Sequence, residues 1–364
     1  MGGLPRTRRQ GNSGQYGFTV ALPTISVVIP CYNYARFLTA AVVSVVHQPG
    51  VEVEVIIVDD CSTDETPEVA AALAADFPSV RVASHSSNQG LIRTINDGIT
   101  EAQGDLLLVL SADDCVAPGT LSRAAQAFES YPQVGMVFGQ REEFTDPSTL
   151  PNEDRYLALA GPGPAGDIHV HRGVDWVTER CRQGINLIAS PEVLVRMSVQ
   201  RAIGGYDPEC RHTSDLNMWL RAAMASDVAY VAGPPFAYYR KHDQNMSVVE
   251  FGDASVNLSE RWKAFDRAIE GSQAADATRE RWRRLSRRSL MTEARHEIRR
   301  AQERDADASV VVGLRSAARE IGGAASRIGA RTTEAGRARA DHLGRIRHRL
   351  RWRRWLARWK SVGL

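Results

Sequence analysis

Residues 106–118 read LLLVLSADDCVAP, and this stretch decides the fold. The apolar run 106–110 reads as a strand buried on both faces, as in a parallel sheet, and it runs straight into Ser111, Ala112, Asp113 and Asp114. Two adjacent carboxylates at the carboxyl end of a buried strand repel each other. In an open α/β sheet that end is where ligands bind, and a divalent cation is the simplest partner that offsets the repulsion. A plain turn is the alternative reading, since Asp is common in loops.

The flanking sequence repeats the same grammar. Residues 25–29 form a first buried strand ending at Pro30, followed by Cys31, Tyr32, Asn33 and Tyr34 in a turn and a helix from about 35 to 47. Residues 53–58 form a second strand that also ends in carboxylates, Asp59 and Asp60. Thr66 reads as an N-cap with Pro67 at the first helical position, and the helix runs to about Phe77, where Pro78 stops it. A short strand at 80–83, a turn at 88–90, a helix at 91–102, a helix starting at Pro118 and a strand at 134–138 complete the rhythm. Strands separated by helices predict an α/β fold with a mostly parallel, doubly wound sheet.

The 364-residue chain is long enough for one large or two smaller domains. Its five cysteines form no CxxC pair or other metal-ligand spacing, which fits a reduced cytoplasmic setting. No apolar run approaches the roughly 20 residues of a membrane span. The net charge of +2 conceals an asymmetry: residues 251–364 hold 27 Lys and Arg against 14 Asp and Glu, whereas residues 1–250 hold 18 against 29. The spacing predicts a disordered, mildly basic lead-in at 1–22, a catalytic-type domain at 23–248, and a mainly α-helical basic region at 249–364.

Two strands thus deliver acidic residues to one edge, which packing does not require. Together they suggest a nucleotide, with one carboxylate accepting hydrogen bonds from a base or ribose and the other holding a metal on the diphosphate. A redox Rossmann site needs a Gly-rich turn after the first strand, and here that turn is PCYNYA without glycine. No GxxxxGK[ST] occurs either, so phosphates must be held by metal and side chains.

The order SVVIPCYN, VIIVDDCSTD, NQG with INDGI, then GDLLLVLSADD resembles the family-2 glycosyltransferases of GT-A fold over about residues 24–247. The resemblance implies an inverting enzyme that moves a sugar from a nucleotide-diphosphate donor, a UDP-sugar first among them, to a hydroxyl of a glycan or lipid-linked acceptor in cell-surface polysaccharide assembly. It places Pro30, Tyr32 and Asn33 near the nucleotide, Asp60 on the base and Asp113 as main ligand of Mg²⁺ or Mn²⁺, with Asp59 and Asp114 as the second member of each pair. Ser111 stands where the family often has Asp, so it can hydrogen-bond a ribose without adding charge. Ile95 stands where the family often has Arg, and Arg93 is the nearby cation for a diphosphate; a solvated helix residue is its other reading.

On the acceptor side, Thr213, Ser214 and Asp215 precede LNMWLRAA, an amphipathic helical start. From spacing alone Asp215 is either the general base or an acid favourable to the helix macrodipole, and the resemblance implies the base. His242, after the strand-like YYRK, resembles the family's closing YRxH element and is a candidate for the metal or diphosphate, or a structural histidine. Trp176 and Trp219 read as core by default, with stacking on an acceptor sugar as their other reading. A non-catalytic nucleotide-sugar or glycan-binding protein on the same fold is the alternative function, supported by Ser111 and Ile95. The tail 343–364, LGRIRHRLRWRRWLARWKSVGL, has eight basic residues, no acid and three Trp. It reads as an interfacial anchor on an anionic membrane surface, hence a cytoplasmic protein peripheral on the inner face of the membrane, or as a solvated basic helix. No aromatic-rich RNA motif or zinc spacing supports a nucleic-acid partner.

Overall fold

The computed structural model describes residues 22–145, 166–243, 245, 253–323, 361 and 363. The proposed boundary near Val248, the lead-in to residue 21 and nearly all of the 343–364 tail lie outside the described residues.

An eight-stranded sheet carries the architecture. Strand β1 (Thr24–Cys31) lies between β2 (Glu52–Asp59) and β4 (Leu106–Val109), parallel to both, and β3 (Val80–Ser84) extends the sheet beyond β2. Val27 pairs with Val55 on one side and Leu108 on the other, all fully buried, so these strands are apolar on both faces because helices cover both. The helices are α1 (Ala35–Val46), α2 (Thr66–Asp76), α3 (Leu91–Glu101) and α4 (Thr120–Ser130). Beyond β4 the order continues through β9 (Val193–Arg196), β6 (Val134–Phe138), β10 (Asp227–Val231) and β8 (Ile168–His171). β9 is antiparallel to both β4 and β6, and β8 is antiparallel to β10, so the sheet is mixed at this side. Helices α5 (Gly173–Gln183), α6 (Met197–Ile203) and α7 (Ser214–Ala225) connect these strands.

Two local expectations are corrected. Thr66 is the first helical residue of α2 rather than its cap: its Oγ1 donates to Asp64 Oδ1 at 2.5 Å, and Asp64 also accepts the Thr66 N–H. Pro118 does not open α4, because Gly119 takes the left-handed conformation (φ 72°) just ahead of Thr120, and residues 115–116 are drawn into a second sheet. That three-stranded sheet has β11 (Ala237–Arg240) between β5 (Cys115–Val116) and β7 (Arg141–Phe144).

The Arg-rich segment forms α8 (Ala254–Glu270), α9 (Asp276–Glu303) and α10 (Ala308–Gly322). Asp253 caps α8 by accepting the N–H groups of Ser255 and Val256. Along α8 the buried residues Leu258, Arg261, Trp262, Phe265, Ala268 and Ile269 recur at helical spacing and form one stripe. That stripe packs into the same apolar cluster as Trp176, Trp219, Met136 and Phe138 of the sheet domain. Trp282 of α9 is 1% exposed in this cluster, and its Nε1 donates to Thr178 Oγ1 of α5 at 2.9 Å. Trp282→Ala is expected to cost about 3–5 kcal/mol, read as a lowered urea midpoint for the whole chain.

Candidate active site

The carboxyl ends of β1 and β2 are joined before any ligand arrives. Cys31 pairs with Asp59 in register, and just beyond them Asn33 (φ 58°) and Cys61 (φ 62°) both turn through the left-handed region, which is uncommon for residues other than glycine. The payoff is a staple: Asn33 N–H donates to Ser62 Oγ at 2.9 Å, and Asn33 Oδ1 accepts the Thr63 N–H at 2.7 Å. Tyr34 and Ala35 N–H groups donate to Thr66 Oγ1 and Asp64 Oδ2. Pro30, Asn33 and Asp59 therefore belong to one platform, with Tyr32 exposed on it and Asp59 Oδ1 accepting the Ser62 N–H at 3.2 Å.

Asp60 is buried and works inward. Its Oδ1 accepts the Gln89 N–H at 2.7 Å and lies 2.7 Å from His85 Nδ1, while Oδ2 accepts the Gly90 N–H at 2.8 Å. Burial pulls its carboxyl up, but the Gln89, His85 and Gly90 donors outweigh that and hold it below the usual carboxylate range. Asp60 thus pins the 85–90 loop, including Gly90 (φ 83°) at the head of α3. Arg93, in the first turn of α3, points its Nε at Asp97 at 2.7 Å on an exposed helix face.

The small sheet explains how residues 129 positions apart meet. Asp113 and Asp114 lead directly into β5, His242 follows β11, and the pairing of Cys115 with Tyr238 brings the two ends together. Asp113 Oδ2 lies 2.9 Å from His242 Nε2 and 3.3 Å from Asn245 Nδ2. Arg240 fastens the turn, its Nε donating to the Asp113 carbonyl and its N–H to Asp114 Oδ1, both at 2.8 Å. Phe37 and Tyr34 of the α1 segment pack on the His242 ring, with centroids 5.1 and 6.0 Å away. Asp114 faces the interior, and Ala112 is likewise buried. Burial, followed by the neighbouring Asp113 charge, pushes the Asp114 carboxyl well above the carboxylate range, and its Oδ2 has no hydrogen-bond partner among the described residues.

Beside these strand ends opens a cavity of about 500 Å³. Pro30, Val109 and Ser111 line it from the sheet, and Asp215, in the first turn of α7, lines it together with Asn186, Ser190 and His212. Burial raises the Asp215 carboxyl to about 6, against the lowering effect of the Leu216 N–H (2.8 Å), Asn186 and, more weakly, Arg141. A carboxyl group poised there is ionised at neutral pH yet basic enough to accept a proton. Arg141 of β7 is itself held by Glu192 and the Leu187 carbonyl, both at 2.8 Å.

The structure therefore gathers Pro30, Ser111 and Asp215 around one cavity, and Asp113 with His242 at one point. It sends Asp60 and Asp114 into protein contacts and leaves Arg93 at the surface. Sequence reasoning missed Asn186, His212, Asn257, Arg261 and Glu293, all of which line the cavity. The last three sit in helices whose Arg content reads as a solvated face, and no spacing signal marks them.

The architecture is that of the GT-A glycosyltransferases. Residues 1–349 of S. aureus TarS in complex with UDP-GlcNAc superimpose with a TM-score of 0.62 at 16% identity, over 82% of this chain and 80% of that one. Residues 26–175 match the family model described as glycosyl transferase family 2. Over that stretch the chain is similar to the glycosyl transferase family 2. An uncharacterized protein of Mycobacterium tuberculosis is 30% identical over 222 residues, 58% of this chain and 65% of its own length. An uncharacterized glycosyltransferase of Nostoc is 37% identical over 113 residues, 31% of this chain and 35% of its own. The chain thus spans less than two thirds of the length of either relative.

Proposed function

We propose that the protein is a glycosyltransferase that moves a sugar from a nucleotide-diphosphate donor directly to an acceptor hydroxyl, inverting the anomeric centre. The observation that carries the reading is the single cavity that runs from the strand ends at Pro30 and Ser111 to Asp215. The nucleotide would lie over the stapled loops after β1 and β2, near Tyr32, Asn33 and Asp59, with Asp60 holding the loop that borders it. Asp215, on the same cavity, takes the proton from the acceptor hydroxyl as that oxygen attacks; a carboxyl pushed up to about 6 is suited to this. The TarS fragment, crystallised with UDP-GlcNAc, supports a UDP-sugar as the first donor to try.

Asp113 and His242 fit a divalent cation, Mg²⁺ or Mn²⁺. They bring one carboxylate and one imidazole to a point, and no group of three His, Cys, Asp or Glu suited to a metal exists among the described residues. Two protein ligands suit a cation that shares its remaining positions with substrate phosphates and water. When bound, the cation supplies Lewis-acid neutralisation of the charge that develops on the departing diphosphate. Asn245 and Arg240 hold the Asp113 side chain and carbonyl in place, and the second oxygen of Asp114 stays buried behind them.

The test is a panel of nucleotide sugars with Mg²⁺ or Mn²⁺, followed by thermal stabilisation and by slow donor hydrolysis. One donor should stand out, since saturation at 100 times Kd adds about 2.7 kcal/mol to stability. A panel in which no donor stabilises or is hydrolysed rejects the reading.

Residues 343–364 are read as an anchor on anionic lipid, which would place the enzyme at the cytoplasmic face of a membrane and suit a lipid-linked acceptor. The composition supports this, each basic residue near such a surface contributing about 1 kcal/mol. No described helix is long and apolar enough to cross a membrane. Co-sedimentation with anionic vesicles should fall sharply when the chain is truncated after Asp341 and should weaken with salt. Equal binding by both proteins rules the anchor out.

A further inference from the structure

Part of the cavity lining comes from helices that lie beyond residues 26–175, the stretch matched by the family model. Asn257 and Arg261 of α8 and Glu293 of α9 line the space that Asp215 faces. Arg261 is buried, and Glu293 grips it with both oxygens, at 2.6 Å on Nη2 and 3.0 Å on Nη1. The same Nη1 donates to the Gly184 carbonyl at 2.6 Å, so the guanidinium is fixed in direction. Asn257 Nδ2 lies 3.0 Å from His212 Nε2, so the two side chains are held together on the cavity lining. His212 stands three residues before Asp215 on the same lining.

The charges around this space cancel. Asp215 and Glu293 face Arg211 and Arg261, and the Arg261 charge is already matched by Glu293 in contact. Leu91, Ile95, Val109, Ile185 and Tyr206 add apolar surface to the same lining. A pyranose has the matching chemistry, with C–H groups on the ring face for the apolar side and hydroxyls around the edge for fixed donors and acceptors. An anionic acceptor would instead meet two carboxylates, with Arg261 already paired to Glu293 and Arg211 as the remaining cation.

We propose that α8 and α9 build the acceptor subsite, and that Asn257 and Glu293 are specificity-determining residues that engage the hydroxyls of an uncharged glycoside. This deepens the transfer reading above and rests on it. The experiment uses the full chain with the donor found in the panel, and measures transfer to p-nitrophenyl glycosides of neutral hexoses and to the matching glucuronide. The wild type should use at least one neutral glycoside about 10-fold better than the glucuronide. Asn257→Ala and Glu293→Gln should each raise the acceptor KM about 10-fold, the loss of about one hydrogen bond, while moving the donor KM less than twofold. Saturation-transfer NMR with the neutral glycoside should lose signal in the same variants. Two results overturn the subsite while the transfer reading stands: donor hydrolysis with no transfer to any neutral glycoside, or both variants keeping acceptor KM within twofold. Absence of donor binding and hydrolysis in the wild type removes the transfer reading and this inference with it.

Discussion

Asp215→Asn should lower kcat by about 10²- to 10⁴-fold, the usual cost of removing a general base, while donor Kd stays within about twofold. The amide keeps the size of the side chain and an oxygen that can still accept the Leu216 N–H, so the fold should survive. The pH profile makes the assignment sharper. Asp215 is a base only when ionised, and burial raises its carboxyl to about 6, so activity should fall as pH drops through about 6. An unperturbed aspartate would place that limb near about 3.9. A residual activity in Asp215→Asn with no acid limb is consistent with the role; wild-type turnover in the variant excludes it.

Asp113→Ala should have the next largest effect. Lewis-acid stabilisation of a leaving group contributes several kcal/mol, so its removal should cost about 10²- to 10³-fold in turnover. EDTA should do the same to the parent protein, and Mn²⁺ or Mg²⁺ should restore it. His242→Ala should raise the metal concentration needed for half-maximal rate by about 10- to 100-fold. The assignment fails if Asp113→Ala keeps near wild-type activity and chelation has no effect.

Some of this was legible in the residues and some was not. β4 announced itself as an unbroken apolar run, and β1 and β2 as apolar runs interrupted only by Ser26 and Glu54, because strands covered by helices on both faces need no polar alternation. The four-residue β9 between β4 and β6, and strands β5 and β7 of the small sheet, did not, although YYRK, which overlaps β11, reads as strand-like. Each is too short to show a period, and β7 reads REEF, a polar sequence held in place by its partner strand rather than by its own pattern. That small sheet joins Asp113 to His242, so the candidate metal pair was reachable from sequence only through family resemblance. Asp215 stood at a visible helix start, but its burial could not be read from spacing. Arg261 illustrates the opposite error: an arginine among arginines looks solvated, and only packing of Trp262 and Phe265 beside it turns its side chain inward.

The shared core of the helical region and the sheet domain has a consequence for how such an enzyme can diversify. Trp282, Trp262 and Leu290 fill space against Trp176 and Trp219, so the segment after residue 253 is not an appendage that can be exchanged as a cassette. A chimaera that imports these helices from a relative would have to import the facing surfaces of α5 and α7 too. Because α7 carries Asp215, exchanging the cavity-lining part of α8 and α9 by recombination would also change the setting of the proposed proton acceptor. New acceptor preferences in this lineage should therefore arise by point substitution on the cavity-facing residues of α8 and α9, with the buried tryptophans left in place.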